Sequence, residues 1–507
     1  MTEIEKKRAQ IMLMLLSEKL TGEVKGRGVY NGKNTRDWVS GEDKASPTAT
    51  NEGIFVTGVV DAKEERDMMS NDIPNAFIQA KVPAKEDGKP HEKIIMKITG
   101  RLVDVLVAIA PEIYAKHVVY ENGKKVLYVE VLRALYGMLI SAMLWYNKFR
   151  SDLEGIGFEF NPYDPCIANR IVNKKQHTVR FHVDDLLSSH VDTIVNDKFH
   201  AWLVKTYGKH GKVKTTRGKI HDFLGMTLDF SKKGKMIVDM CKYMKKLYKD
   251  FEEKYILNGT RMTPAAEDLF SNDVESPRLD KEMREDFHHF TARGLFAAKR
   301  ARPDTATSIS VLTTRVRNPS VDDWSKLVRY IQYVKRTWQD ILTLAADSLH
   351  VIKWFVDASF AVHPDFKSHT GSVMTMGEGA IQGNSSKQKL NTRSSCDAEL
   401  VGNDDASTKI LWTRLFLEAQ GYKVRQNIVY QDNKSTIQLL KNGRRSAGKR
   451  SRAINIRYFF MADQHEKGLI NVEYCPTGKM WADPMTKPLQ GSAFKLNADR
   501  LMGRTRD

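Results

Sequence analysis

The strongest constraint on the fold is a run of alternating residues that ends on two adjacent aspartates. In residues 178–183, apolar Val and Phe side chains alternate with polar ones, which is the period of a strand buried on one face. Asp184 and Asp185 follow, and then Leu186 and Leu187. This pattern predicts a strand, a tight turn that carries both carboxylates, and a return strand.

Paired acids at a turn have a simple explanation, because most of them are solvated turn residues. A catalytic role asks for more, since phosphoryl transfer by two metal ions needs carboxylates around ions that lie about 3.5–4 Å apart. Oxygen ligands of this kind suit Mg²⁺. Asp72 is the best candidate for a third carboxylate, because it ends a predicted strand that leads into a helix near Phe77.

Four short motifs occur in a fixed order around these acids. They are DIPNAFIQ (72–79), ALYGM (134–138) with Trp145 and Tyr146, FHVDD (181–185) and FLGMT (223–227). In this order they resemble the reverse transcriptases of copia-type LTR retrotransposons. The resemblance implies that Asp72, Asp184 and Asp185 are catalytic ligands of two Mg²⁺ or Mn²⁺ ions in a polymerase palm.

The same resemblance implies how a deoxynucleotide would bind. Ala76 would lie beside the incoming dNTP, and Phe77 matches the aromatic residue that blocks a ribose 2′-OH. The alternative for Phe77 is an ordinary aromatic residue of the core. Lys25 and Arg27 match the basic segment of the fingers and are candidates for contact with the triphosphate.

Several positions depart from the family pattern. His182 stands where Tyr usually precedes Val-Asp-Asp, residues 139–140 are Leu-Ile instead of Lys-Gln, and residues 142–143 are Ala-Met instead of Pro-Arg. The Arg expected after Ser46-Pro47 to grip the triphosphate is not evident. These changes affect the segments that would contact template and triphosphate, and they fit either a divergent branch or a decaying copy.

Four further acids occur in the C-terminal region, each next to a predicted strand or helix or close to the chain end. They are Asp357, Glu399, Asp432 and Asp483. Singly, such residues are equally well explained as helix caps or as partners of a helix dipole. Together with the Ser-His-Thr-Gly block at 368–371, they resemble the RNase H domain of the same elements. The resemblance implies that they hold two Mg²⁺ or Mn²⁺ ions and cut the RNA strand of an RNA–DNA hybrid.

The charge balance favours a nucleic-acid partner. Lys and Arg total 80 against 62 for Asp and Glu, which leaves a net charge of +18, and such an excess suits a polyanion. Arg444, Arg445, Lys449 and Arg450 lie between the last two of the C-terminal acids. A charge run is usually a solvated face, but this position makes contact with the hybrid backbone the better interpretation.

A chain of 507 residues is too long for one core, and we expect an α+β right-hand polymerase followed by an α/β RNase H-like domain. The expected divisions are a basic N-terminal segment with the start of the fingers (1–50), fingers and palm (51–265), thumb or connection (266–350), RNase H domain (351–490) and a C-terminal tail (491–507). Periodicity predicts helices over 135–155, 287–349 and 396–419, and composition predicts a surface connection at 267–286.

Other protein classes are disfavoured. The four cysteines lie far apart without a Cys-x-x-Cys pair, which argues against a disulfide framework and a zinc knuckle. No apolar stretch approaches the length of a membrane span. We therefore expect a soluble intracellular protein. The resemblance to copia-type elements implies that it acts in cytoplasmic virus-like particles, in the nucleus or in both. Aspartic protease and integrase motifs are not found, so we also expect a fragment of a Pol polyprotein.

The expected activity is RNA-directed DNA synthesis combined with RNase H cleavage. The expected partners are an RNA template, a DNA primer, an RNA–DNA hybrid and dNTPs, with other Pol products or a second copy of the chain as further candidates. Two alternatives stay open at this point. One is a catalytically decayed or host-adopted relic that only binds nucleic acid, and the other is a protein in which only the RNase H half works.

Overall fold

The computed structural model describes residues 1–18, 24–35, 45–83, 93–446 and 459–504. Within these ranges the strands form four β-sheets, and helices cover or connect them.

The N-terminal residues form the first sheet and contribute one strand to the second. Their elements are α1 (Glu3–Arg8), β1 (Gln10–Glu18), β2 (Val24–Tyr30), α2 (Asn51–Lys63), β3 (Asp67–Asp72), α3 (Ala76–Gln79), β4 (Ile95–Thr99), α4 (Arg101–Ile109), α5 (Pro111–Tyr114), β5 (Val119–Glu121) and β6 (Lys124–Glu130). The N-terminal sheet has the order β2-β1-β4-β6-β5. Its strands pack around Ile98, Val103 and Leu127, a small core in the unit that the sequence assigns to the fingers.

The central sheet carries the paired aspartates. The next elements are α6 (Ser141–Glu154), β7 (Glu159–Asn161), β8 (Asp164–Val172), β9 (Lys175–His182), β10 (Asp185–His190), α7 (Thr193–Tyr207), β11 (Lys214–Gly218), β12 (Ile220–Phe223), β13 (Met226–Asp229) and β14 (Lys235–Asp239). The sheet is antiparallel, in the order β11-β3-β10-β9-β8-β7. Because successive side chains of a strand point to opposite faces, Leu186 packs with α6 and α7 while Leu187 packs with α2.

A helical unit follows, in the region that the sequence assigns to the thumb or connection. It comprises α8 (Cys241–Glu252), α9 (Lys281–Ala298), α10 (Ala306–Thr313) and α11 (Val321–Thr337), and it leads into β15 (Leu342–Ala346). Its core contains the buried rings of Phe251, Phe287, Phe290 and Tyr330.

The C-terminal part is an α/β domain. Its elements are β16 (Val351–Ser359), β17 (His369–Thr375), β18 (Gly377–Glu378), β19 (Gln382–Lys387), α12 (Ser395–Ala419), β20 (Gln426–Gln431), α13 (Lys434–Asn442), α14 (Phe460–Glu466), β21 (Asn471–Tyr474), α15 (Asp483–Thr486) and α16 (Gly491–Leu501). The sheet order is β19-β17-β16-β20-β21, with β16, β20 and β21 parallel and β17 antiparallel to its neighbours. This domain and the mixed sheets before it confirm the predicted fold class.

The two halves of the chain share one hydrophobic core. Helix α2 lies between the central sheet and a sheet of order β12-β13-β14-β15-β18, which combines strands from both halves. Gly58 permits this approach, because a Cβ there would lie 2.3 Å from Sδ of Met236. Polar contacts extend the junction: the Trp412 indole donates to the carbonyl of Tyr163 (2.9 Å), and Lys409 pairs with Glu52 (2.7 Å).

Three expectations about secondary structure need correction. The helix predicted over 135–155 begins only at Ser141, because Gly137 adopts a φ of 87° and packs against the carbonyl of Tyr30. The surface connection predicted at 267–286 is shorter than expected, because helix α9 already begins at Lys281. The Asp280 side chain caps this helix. The helical region ends before 349, because residues 342–346 form a strand between β14 and β18.

The expected C-terminal tail is also wrong for residues 491–504. Helix α16 packs its buried Phe494 ring against Tyr333 (5.7 Å between centroids). The carbonyl of Met502 accepts a hydrogen bond from the Thr343 amide (3.0 Å), and that of Leu501 accepts one from Ala380 (2.9 Å). The helical periodicity of apolar residues in this short segment is too weak to predict a helix, because the stability of this helix comes from tertiary packing.

Leu501 and Leu496 form a matched pair on α16, because the first is 1% exposed and the second is 45% exposed. We expect Leu501→Ala to lower the free energy of unfolding by about 2–5 kcal/mol, since it leaves a cavity in a packed core. Leu496→Ala should change it by less than about 0.5 kcal/mol. Urea unfolding of both variants measures the difference, and equal effects would contradict the packing of α16.

Candidate active sites

The first cluster of carboxylates lies at the end of two neighbouring strands of the central sheet. Strands β3 and β10 are antiparallel, and their register places Asp72 directly opposite Asp185. The carbonyl of Asp184 accepts a hydrogen bond from the amide of Ile73 (3.0 Å). The structure therefore brings Asp72 next to a pair of acids that lies more than a hundred residues later in the sequence.

A side chain from helix α6 stabilises the turn that carries the paired aspartates. Val183 has a φ of 58°, a conformation that β-branched residues rarely adopt and that costs free energy. Its carbonyl accepts a hydrogen bond from the indole of Trp145 (2.6 Å), which is fully buried in α6. Trp145 of the Trp-Tyr motif thus has a physical role, because it fixes the turn that presents the carboxylates.

The first cluster is electrostatically strained. Burial, Asp184 and Asp72 raise the pKa of Asp185 to about 6. Burial raises the pKa of Asp184 too, with a further contribution from Asp72, while Arg27 and His182 oppose the rise. Carboxylates that destabilise one another in this way favour binding of a cation.

Three side chains line the approach to these acids. The rings of Phe77 and Tyr136 lie 4.7 Å apart, and the Arg27 guanidinium lies 5.3 Å from the Tyr136 centroid. Burial and the charges of Asp184 and Asp72 raise the pKa of Tyr136, which places its hydroxyl in the field of the acids.

The other residues predicted for this site differ in position. The Ala76 side chain is completely buried in the core under the central sheet, so the half-buried Phe77 is the member of this pair that reaches the surface. Lys25 lies in β2, and its side chain is outside the described part of the structure.

The second cluster forms where three elements of the C-terminal domain meet. Ligand atoms of Asp357, Glu399 and Asp432 all lie within 4.8 Å of one another. Asp357 is near the end of β16, Glu399 is in the second turn of α12 after the Ser394 cap, and Asp432 follows β20. Burial, Asp357 and Asp432 raise the pKa of Glu399 well above its ordinary value.

Asp483 approaches this cluster through a lysine. The Lys487 ammonium lies 2.5 Å from Oδ1 of Asp483 and 3.2 Å from Oδ2 of Asp357. Lys487 therefore links Asp483 to Asp357 by a positive charge, and Asp483 is not a member of the group of three acids. The attraction of both carboxylates raises the pKa of Lys487 despite its burial.

Neutral groups complete the second cluster. The hydroxyl of Thr486 donates to Asp357, that of Thr477 donates to Asp432 (3.0 Å), and the Gln431 amide donates to Glu399 (3.1 Å). These hydrogen bonds orient the carboxylates and satisfy some of their hydrogen-bond acceptors. They leave a set of oxygen donors that suits a divalent cation.

Comparison with known proteins finds relatives among retrotransposon polyproteins. A retrovirus-related Pol polyprotein from transposon TNT 1-94 of Nicotiana tabacum is 25% identical over 381 residues, 74% of this chain. A similar polyprotein from transposon RE2 of Arabidopsis thaliana is 23% identical over 486 residues, 94% of this chain. The Ty1-NL2 Gag-Pol polyprotein of Saccharomyces cerevisiae is 24% identical over 73% of it. The chain is related to copia-type retrotransposon Pol polyproteins.

The relationship covers a limited part of those polyproteins. This Pol-related chain spans 28% of the tobacco protein, 30% of the Arabidopsis protein and 21% of the yeast protein. No protein-family model matches it. A crystal structure of prototype foamy virus protease-reverse transcriptase aligns with 92% of this chain and 50% of that one, at 15% identity and a TM-score of 0.26.

The basic segment of the Pol-related chain is only partly described. Arg445 is exposed in a short 3₁₀ turn, Gly443–Ser446, that follows α13. The side chain of Arg444 and the whole of Lys449 and Arg450 lie outside the described residues. In the part of the chain that the structure covers, every helix is too short or too polar to span a bilayer.

Sequence reasoning overlooked two residues at these sites. Tyr136 is part of the ALYGM motif, but no role was assigned to it, and its contacts with Phe77 and Arg27 appear only in three dimensions. Lys487 lies four residues after Asp483 in a helical turn, a spacing that is typical of an ion pair. That spacing is a clue that the sequence already contained.

Asp185→Asn should stabilise the metal-free protein at about pH 8, because it removes one charge from a cluster of three acids. The folded-state pKa of about 6 exceeds the ordinary 3.8, so the destabilisation is complete above pH 6 and fades as the pH falls toward 4. We expect a gain of about 1 kcal/mol, since solvent screens the exposed carboxylate. Thermal unfolding with EDTA across this range measures it, and a gain independent of pH would contradict the argument.

Lys487→Met should destabilise the metal-free protein, because it leaves Asp357 and Asp483 without the ammonium between them. Millimolar Mg²⁺ should restore most of the lost stability, since a divalent cation can replace that charge. Lys495→Met removes an exposed lysine of α16 and serves as the control. Unfolding temperatures with EDTA and with Mg²⁺ measure both effects; the interpretation fails if Mg²⁺ stabilises the two variants equally.

Proposed function

We propose that the chain is an RNA-directed DNA polymerase that also hydrolyses the RNA strand of an RNA–DNA hybrid. The observation that carries the proposal is the assembly of two separate carboxylate clusters from residues distant in sequence. Asp72 is paired with Asp185 beside Asp184, and Asp357 meets Glu399 and Asp432. The relationship to retrotransposon Pol polyproteins supports the same activities.

Both clusters have the donors that Mg²⁺ or Mn²⁺ requires, because every group in them is a carboxylate. Bound in pairs, such ions would activate the attacking oxygen and stabilise the leaving group. Asp72, Asp184 and Asp185 would hold the pair in the palm. Asp357, Glu399, Asp432 and Asp483 would hold the second pair, and Lys487 would compete with an ion for two of these acids.

Residues near the first cluster would select and orient the nucleotide. Phe77 would exclude a ribose 2′-OH, and its contact with Tyr136 would fix the position of its ring. Arg27 lies close enough for its charge to act on Asp184, and it would bind phosphate oxygens together with Lys25. Because the Ala76 side chain is buried, its part would be to let Phe77 lie close to the acids.

Contacts with the hybrid would be independent of base sequence. Arg445, together with Arg444, Lys449 and Arg450, would bind backbone phosphates near the second cluster. An RNA template, a DNA primer, their hybrid and dNTPs are the partners that these activities require. Virus-like particles in the cytoplasm, and the nucleus, are the compartments in which we propose that the chain acts.

Two variants separate the activities. Asp184→Asn should lower extension of oligo(dT) on poly(rA) by about a hundredfold or more, the scale for loss of an essential electrostatic group, and leave hybrid cleavage intact. Asp432→Asn should do the reverse. Asp397→Asn is the matched control, since Asp397 is close to Glu399 in sequence but outside the acid cluster. Wild-type protein that cleaves the hybrid without extending the primer would support the RNase H-only alternative, and protein without either activity would support a relic.

A further inference from the structure

An open groove lies on the face of the C-terminal sheet opposite α12. Its volume is about 470 Å³, within the range of small-ligand sites, about 300–1,000 Å³. The side chains that matter for its chemistry are Lys353, Phe355, Tyr430, Tyr474, Lys479 and Trp481. Side chains along β16 alternate between the two faces of the sheet. Trp354 packs toward α12, and Phe355 points to the opposite face, where the groove lies.

The floor of the groove is a stack of aromatic rings. Phe355 lies 4.9 Å from Tyr430 at an interplanar angle of 28°, and 5.5 Å from Trp481 at 10°. Phe355 and Trp481 are buried, Tyr430 is half-buried, and Tyr474 at the rim is 52% exposed. A flat ring that enters the groove would therefore meet further rings, with Tyr474 free to pack on it.

Lysines surround this aromatic floor. Lys434 lies 5.6 Å above the Tyr474 ring, and Lys479 is exposed on the wall. Neither has a carboxylate partner among the described residues. Lys353 is paired with Asp347 at 3.5 Å. Stacking surfaces beside free ammonium groups suit a base that is joined to phosphates.

The groove adjoins the second carboxylate cluster. Tyr430 lies two residues before Asp432 on β20. The segment 475–481 forms one wall of the groove, and its Thr477 hydroxyl donates to Asp432. A nucleic-acid strand that passes the second carboxylate cluster therefore reaches the groove within a few nucleotides.

We propose that this groove binds an unpaired nucleotide of the RNA strand where that strand leaves the hybrid beside the second cluster. The base stacks on Tyr474 and Tyr430, and its phosphates contact Lys434 and Lys479. Only the identity of the strand as RNA rests on the proposed function, because the acids would cut the RNA strand. The binding itself requires neither metal nor cleavage.

The test compares three labelled RNA–DNA hybrids in EDTA. One is blunt, and the other two have a single-stranded RNA overhang of six adenosines at the 5′ end or at the 3′ end of the RNA strand. For wild-type protein, fluorescence anisotropy should show about tenfold tighter binding of one overhang hybrid than of the blunt one, as expected for stacking of a base. Tyr474→Ala and Lys479→Ala should each reduce this gain while the affinity for the blunt hybrid stays the same. Tyr120→Ala removes an exposed tyrosine of the N-terminal sheet and should retain the full gain.

The proposal is overturned if neither overhang tightens binding, if Tyr474→Ala keeps the gain, or if Tyr120→Ala loses it equally. An equal gain from an overhang of deoxyadenosines would overturn the assignment to RNA. Cleavage of the blunt hybrid with Mg²⁺ is measured separately. An overhang gain without cleavage would leave the groove in place and contradict the RNase H function.

Discussion

Repulsion between neighbouring carboxylates is the interaction that the rest of this structure has to oppose. In the first cluster the backbone opposes this repulsion, because the hydrogen bonds between β3 and β10 hold Asp72 opposite Asp185. The indole of Trp145 also stabilises the strained turn at Val183. In the second cluster side chains oppose the repulsion. The ammonium of Lys487 lies between Asp357 and Asp483, and hydroxyl and amide groups donate to the other acids.

The two solutions have different electrostatic consequences. Among the described residues, no ion pair with a lysine is formed by the acids of the first cluster. Burial and the unrelieved charges of Asp184 and Asp72 therefore raise the pKa of Asp185 to about 6. The second cluster is partly neutralised by Lys487, while burial and the charges of Asp357 and Asp432 raise the pKa of Glu399 well above its ordinary value. A cation entering the first cluster relieves existing repulsion, whereas one entering the second must displace a lysine or share its acids.

One helix connects the second cluster to the rest of the molecule. Helix α12 carries Glu399 near its beginning and packs against the central sheet near its end, where Trp412 and Phe416 meet the segment around Tyr163. Helix α2 lies under the same junction and is buried on every side. Because packed interiors transmit small displacements, this shared core couples the elements that carry the two clusters mechanically.

Much of this arrangement was predictable. The amino-acid sequence alone determined that residues 178–187 form a hairpin with Asp184 and Asp185 at its turn and that α12 begins just before Glu399, because strand and helix periods and capping residues are local properties. It also determined the order of the acids and the excess of positive charge. Three features follow from the tertiary fold alone: Asp72 lies opposite Asp185, Lys487 pairs with both Asp357 and Asp483, and residues 491–501 form a packed helix. These features depend on contacts between residues far apart along the chain, and no local pattern encodes which distant partners will meet.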